Sequence, residues 1–254
     1  MKISTKEQMI FVIARLLRGI DHVAVGVSSP VPGSAALLHR RLSPQKTRVT
    51  VLNSAGLHNL NDGVSDLFDC AAQGRIGAFS LSGGQIDGQA NINLVGIGDY
   101  PRQTVRWSGS FGSAFMYFMV PNVILFREEH TRRTMVDTVD FVSAPGVSEP
   151  GVWRRGGPVA LVTGLAAFSF SATKARFRLE SVHKGHSLEE VRDNTGFAFD
   201  FAETVPETPA PDPDQLVLLR SEIAQEIADP YPDFAAREFG VRNQIAPTKV
   251  RGGG

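Results

Sequence analysis

His22-Val23-Ala24-Val25-Gly26-Val27 is a short apolar run that stops at Ser28-Ser29-Pro30-Val31-Pro32-Gly33, where small residues and prolines cannot continue a ladder. The run does not alternate polar with apolar, so it predicts a strand covered on both faces. Just past the turn, residues 34–42 read as a helix. Arg48-Val49-Thr50-Val51-Leu52 is the next strand, Asn53-Ser54-Ala55-Gly56 is its exit, and residues 64–72 form a further helix. Upstream, Ser4 or Thr5 caps a helix with Glu7 or Gln8 placed to answer it. Met9, Ile10, Ile13, Leu16 and Leu17 then follow at helical spacing until Gly19. Strands joined by helices in this order predict an α/β fold, an open and mostly parallel sheet with helices on both faces.

From Ile76 the pattern changes to short apolar runs split by glycine. Val123-Ile124-Leu125-Phe126 and Val136-Asp137-Thr138-Val139-Asp140-Phe141-Val142 predict strands. Residues 157–170 predict a strand pair around Thr163-Gly164, and residues 177–182 another strand, so antiparallel strands extend the parallel sheet. A short helix over 188–194 is capped by Ser187, with Glu190 three residues on. Prolines at 206, 209, 211 and 213 make 205–213 an extended surface linker, because they exclude ladder and helix alike. A last helix over 214–227 packs Leu216, Leu219 and Ile223. The division expected is one α/β domain over 1–204, with the linker, the C-terminal helix and the tail of 205–254 packed on it. Arg251-Gly252-Gly253-Gly254 reads as an unstructured end.

With 254 residues the chain suits one large domain or two tightly joined ones. The 26 basic and 26 acidic side chains cancel, which excludes a partner held by charge alone, whether nucleic acid or an anionic membrane surface. Charged residues make up only 20%, a poor composition for an isolated soluble monomer, so part of the surface is expected to face another protein. The single cysteine, Cys70, has no internal disulfide partner and reads as a small buried apolar residue. The N-terminal segment lacks the order of a secretory signal, and a cytoplasmic location is expected. Residues 107–126 carry no charge over a length that could span a bilayer, but Ser108, Gly109, Ser110, Gly112, Ser113, Pro121 and Asn122 interrupt them. They read as loop and buried strands.

In open parallel sheets, ligands bind beyond the carboxyl ends of the strands. Three exits are rich in small and amide side chains: Ser28-Ser29, Asn53-Ser54-Ala55-Gly56, and the stretch from Ser82-Gly83-Gly84-Gln85 through Asp87 to Asn91 and Asn93. Glycines there let backbone amides approach a ligand, while Gln85, Asp87, Asn91 and Asn93 either hold polar groups of a substrate or tie the loops together. Any one exit is ordinary turn chemistry; three together weigh more. No phosphate loop ending in Gly-Lys-Ser/Thr is present, and the spacing from Gly26 to Gly33 is not that of the dinucleotide motif. His39 lies beside Arg40 and Arg41, His58 is isolated, and His183 and His186 flank Lys184-Gly185 in an expected surface turn, so no metal site is predicted. Gly109-Ser110-Phe111-Gly112 only weakly resembles a nucleophile elbow. Glu128-Glu129-His130 invites a general-base role but fits a structural or interface ion-pair cluster better.

The succession Gly83-Gly84-Gln85-Ile86-Asp87, Asn91-Ile92-Asn93, Gly109-Ser110-Phe111-Gly112, Arg132-Arg133-Thr134-Met135 running into residues 136–142, and Ser143-Ala144-Pro145-Gly146 resembles the β-type subunit of family I coenzyme A transferases, in particular the glutaconate CoA-transferase branch. The resemblance covers about residues 5–225, and the order of the motifs carries it. It implies a partner α-type subunit of the same fold, in a heterodimer or heterotetramer, with the active site at the subunit boundary. It also implies a coenzyme A thioester as substrate, with no covalently bound cofactor. In the family a glutamate at an early strand exit attacks the thioester and forms an acyl-glutamyl anhydride. Here that position is Ser54, whose ester would not return the acyl group readily. Ser54 is therefore the candidate catalytic position. Asn53, Gly56, Gly83, Gly84, Gln85 and Asn91 are expected to line the acyl pocket, and Gly109, Ser110 and Gly112 to place amide donors near a developing oxyanion.

Three explanations of the serine are open. Asp62, Asp66 or Asp69 supplies a carboxylate; the nucleophile or base comes from the α-type subunit; or the chain resembles the β subunit of steroid ring-cleaving CoA-thioester hydrolases, which lack that glutamate. A non-catalytic structural subunit, and an unrelated small-molecule-binding α/β protein working alone, are the readings outside this class.

Overall fold

Ser4 opens the first helix by accepting the Glu7 amide on its hydroxyl at 3.2 Å, while the Glu7 carboxylate accepts the Ser4 amide at 2.8 Å. This capping box satisfies donors that a helix start leaves unpaired, and α1 runs Thr5–Leu16 with Met9, Ile10 and Ile13 fully buried. The computed structural model describes residues 2–52, 54–58, 60 and 62–241. Strand β1 is His22–Val25, buried throughout as its unalternating sequence requires. Helix α2, Pro30–Leu42, starts earlier than residue 34 because Pro30 supplies a helical φ in the first turn, where its missing N–H costs nothing. Strand β2 is Arg48–Val51, α3 is Gly63–Ala72 and β3 is Ala78–Leu81. Two small hairpins follow, β4 Gln85–Ile86 with β5 Ile92–Asn93, and β6 Gly96–Ile97 with β7 Val105–Arg106. Then come α4 Ser113–Met119, β8 Asn122–Arg127, β9 Pro158–Thr163, β10 Ala166–Ser171, β11 Arg176–Val182, α5 Leu188–Asn194 and β12 Asp200–Phe201.

The main sheet has the order β12-β11-β10-β9-β8-β3-β1-β2. Strands β2, β1, β3, β8 and β9 are parallel neighbours, and β9-β10-β11 is an antiparallel meander added at one side. One apolar cluster, with Tyr117, Phe168 and Phe177, fills one region of the molecule. The other joins α1 and α2 to Val23, Val25, Leu219, Ile223 and Ile227. The C-terminal run comprises α6 Pro213–Leu218, a π-helical turn Leu219–Ile223 and α7 Ala224–Ile227, and Arg220 from that turn donates to the Glu7 carboxylate at 2.8 Å. Helix α8, Pro232–Phe239, lies beyond the last helix that the sequence predicts.

Three sequence expectations are corrected. Residues 136–142 form no strand: Met135 makes one bridge to Ile86, Val136 N donates to Ile86 O at 3.0 Å, and Asp140 N then turns to Gln85 Oε1 at 3.0 Å. Only the Val136 and Asp140 amides bond to the β4 region, and no ladder forms over 136–142. Residues 107–126 hold the helix α4 rather than only loop and strands, with Met116 and Tyr117 on its buried side. The linker over 205–213 does touch the sheet, since Pro206 O accepts Val182 N at 3.0 Å and Thr208 N donates to Val182 O at 2.7 Å. Cys70 is buried and unpaired. Among the described residues no helix is long and apolar enough to cross a membrane.

Candidate active site

Because β1, β2, β3 and β8 are parallel, their exits open at the same end of the sheet. At the β2 exit Ser54 is 4% exposed, its amide bonded to Val51 O at 3.1 Å and its Oγ accepting Leu57 N at 2.8 Å. The Ser54 hydroxyl donates to Oδ2 of Asp229. Ala55 N at 3.1 Å and Gly56 N at 3.3 Å converge on that same oxygen. Asn53 lies outside the described residues.

The β1 exit is gripped by the same C-terminal segment, Tyr231 Oη donating to Gly26 O at 2.8 Å. Burial pushes the Tyr231 phenol up to about 12, so it stays protonated and able to donate. Gly33 on α2 lets this segment approach: a Cβ there would stand 3.0 Å from Ile227 Cδ1 and 3.3 Å from Tyr231 Cε2.

At the β3 exit the glycines admit the protein's own atoms, a side chain at Gly84 and a backbone carbonyl at Gly83. A Cβ on Gly84 would fall 2.1 Å from the Trp107 ring, and one on Gly83 2.7 Å from Gln85 O. Gln85 is buried, and its Oε1 accepts Asn93 Nδ2 at 2.7 Å and Asp140 N at 3.0 Å. Asn91 donates to Asp87 Oδ2 at 3.0 Å and accepts Gly146 N at 3.0 Å. These amides tie loops together. Strand β1 separates β2 from β3, so Ser54 and Gly83 leave the sheet two strand spacings apart, about 10 Å.

Gly109 (φ +101°) and Phe111 (φ +46°) build the left-handed turn before α4, closed by Ser113 N on Ser110 O at 2.9 Å. Gly112 rests on Phe68, whose Cζ a Cβ would meet at 2.0 Å, and Phe68 packs against Phe115 at 5.0 Å between centroids. Phe111 itself is 88% exposed.

Glu129 is held by Arg133 at 2.8 and 2.9 Å, by Thr131 at 2.9 Å and by Arg127 at 3.4 Å. Burial raises its carboxyl, and these partners outweigh that to leave it below its ordinary value. Glu128 pairs with Lys6 at 3.3 Å. His130 is buried between Thr163 Oγ1 at 2.8 Å and Thr195 Oγ1 at 2.9 Å, and burial pushes it down to about 4. A neutral imidazole with both nitrogens bonded is a structural group. His183 is likewise buried, against Thr208 Oγ1 at 2.7 Å and Thr163 O at 3.0 Å, which corrects the surface turn expected for it. Asp62 and Asp66 meet at the start of α3, where Asp62 N donates to Asp66 Oδ2 at 3.0 Å. Among the described residues no group of three or more His, Cys, Asp or Glu could hold a metal ion.

Sequence reasoning missed Asp229 and Tyr231. Asp229-Pro230 carries an ordinary helix-stop signal, and nothing local says that its carboxylate serves a loop 175 residues away.

An open parallel sheet whose polar exits gather at one end is the scaffold of a small-molecule α/β enzyme. No protein-family model matches the chain. The chain is 32% identical to the β-type subunit of the 3-oxoadipate CoA-transferase of Pseudomonas knackmussii, over 86% of this chain and 92% of the relative. The structure of glutaconate CoA-transferase from Acidaminococcus fermentans superposes with a TM-score of 0.72 at 25% identity, covering 87% of this chain and 95% of that one. A third relative is the cholesterol ring-cleaving hydrolase IpdB subunit of Rhodococcus jostii, 30% identical over 65% of this chain and 64% of its own. The chain belongs to the family of CoA-transferase β-type subunits.

Proposed function

We propose that this chain is the β-type half of a heteromeric enzyme acting on an acyl-CoA thioester, with an α-type subunit completing the site. The similarity to a CoA-transferase β-type subunit along 86% of the chain carries the reading. The apolar surface around the α3 and α4 starts supports a partner: Val64 is 54%, Phe111 88% and Phe115 38% exposed. In this reading Asn53, Ser54 and Gly56 form the β2 side of the acyl pocket, and Gly83 and Gly84 shape its β3 side. Gln85 and Asn91 act by holding the loops, and the amides of Gly109, Ser110 and Gly112 serve a developing oxyanion. Coenzyme A enters and leaves as part of the substrate.

CoA transfer is the first reading, because the 3-oxoadipate and glutaconate relatives are CoA-transferases. Hydrolysis with the catalytic acid on the partner is the second. It is favoured by a serine at the β2 exit whose hydroxyl is committed to Asp229, and by the likeness to a ring-cleaving hydrolase subunit. Treating the purified complex with acyl-CoA and borohydride separates them. A reducible enzyme–CoA thioester on either subunit is the result expected for transfer. Continued turnover with no trapped thioester on either subunit would replace transfer by hydrolysis.

A further inference from the structure

The β2 exit presents three donors to a single atom. Ser54 Oγ, Ala55 N and Gly56 N all point at Oδ2 of Asp229, from a segment 173 to 175 residues further along the chain. Consecutive backbone amides with a hydroxyl beside them make a concavity that selects an anion. Hydrogen bonds to an ionised acceptor are roughly twice as strong as neutral ones. A carboxylate thus closes a turn that is otherwise held by Ser54 N on Val51 O at 3.1 Å and Val51 N on Leu57 O at 3.2 Å. That carboxylate is itself fixed: Ile227 and Ala228 before it are buried, Pro230 after it is buried, and Tyr231 donates to Gly26 O at 2.8 Å. One segment thus fixes the exits of two adjacent strands, β1 and β2.

We infer that Asp229 is a positioning residue: its carboxylate sets the geometry of residues 54–56, the turn that carries the acyl end of the proposed site, and the C-terminal segment is thereby part of that site. The link to catalysis rests on the function proposed above; the link to the turn does not. Ser54 fits this role better than an attacking one, since its proton is directed into the carboxylate and its own oxygen accepts Leu57 N at 2.8 Å.

The test uses the full chain in its complex with the α-type subunit, comparing Asp229→Ala, which removes the acceptor, and Asp229→Asn, which keeps an oxygen but not the charge. Asp233→Ala, an exposed acid on α8, is the control. Amide hydrogen exchange over 51–57 should accelerate at least about tenfold in Asp229→Ala and less in Asp229→Asn, with strands β8 and β9 unchanged. Turnover of acyl-CoA should lose kcat by about tenfold or more with KM nearly constant, partly restored in Asp229→Asn. Ser54→Ala should cost less in the Asp229→Ala background than alone, because the hydroxyl's bond to the carboxylate is already gone there. Unchanged exchange over 51–57 in both Asp229 variants overturns the proposal whatever the activity. Accelerated exchange with unaltered kcat overturns the catalytic half of it. If the unmodified complex leaves acyl-CoA untouched while the exchange result holds, the proposed function fails and the positioning of the turn stands.

Discussion

In the proposed reading Ser54 stands where CoA transfer would call for a carboxylate. A serine ester lacks the reactivity of an anhydride, and this serine is buried with its oxygen bonded on both sides. Its chemistry is local: it joins a turn to Asp229. Ser54→Ala deletes one donor to a carboxylate and the acceptor of Leu57 N, and should destabilise the chain by about 1–3 kcal/mol. Urea denaturation should then give a lower midpoint with an unchanged slope. The exit was legible in the sequence because small residues after a buried strand are a local signal. Its carboxylate was not, because a contact across 175 residues leaves no trace in spacing. Glycines carry the same ambiguity. Gly84 and Gly112 suit a place where a ligand needs room, yet the room is taken by Trp107 and by Phe68. Gly112→Ala should displace the Phe68 ring from Phe115 and cost about 1–3 kcal/mol in the same denaturation measurement.

At the scale of elements, helices with a capping signal and a 3.6-residue period could be read directly: Ser4 with Glu7 for α1, and Ser187 with the Glu190 amide for α5. Residues 136–142 misled for a physical reason. Val136, Thr138, Val139, Phe141 and Val142 favour a strand by their β-branched and aromatic side chains, but β4 is only two residues long and offers a single bridge. The helix α4 was hidden in an uncharged run because its seven residues are too few to display a period. The turn before it carries the most exposed large apolar side chain described, Phe111, in a left-handed conformation. If that face meets the α-type subunit, Phe111→Asp should weaken the complex by at least about tenfold, because hot spots at interfaces centre on aromatic side chains. Sedimentation of the mixed subunits reads the change directly. The chain's own unfolding midpoint should stay within error, since the ring is 88% exposed.

Burial lowers His22, His130 and His183, and the last two, shifted furthest, shape the response of the molecule to acid. His130 and His183 have folded values near 4 against 6.5 when unfolded. Below pH 6.5 the unfolded chain takes up protons that the folded one refuses, so stability falls as pH drops from 6.5 towards 4 and these groups contribute no slope above. Each can remove up to roughly 3 kcal/mol by the bottom of that window. Denaturation midpoints measured from about pH 7.5 to about 4.5 should be flat at first and then decline. A His130→Gln variant, already weaker at neutral pH, should decline less steeply. A net charge of zero from 26 acids and 26 bases, together with apolar side chains exposed beside the strand exits, suits the partner subunit proposed above. Reconstitution tests most directly whether this chain is half of an acyl-CoA site. Turnover of an acyl-CoA thioester is measured with this chain alone, with the α-type subunit alone, and with the two together. Turnover is expected only from the pair; an equal rate from this chain by itself, or a pair that never associates, would overturn that expectation.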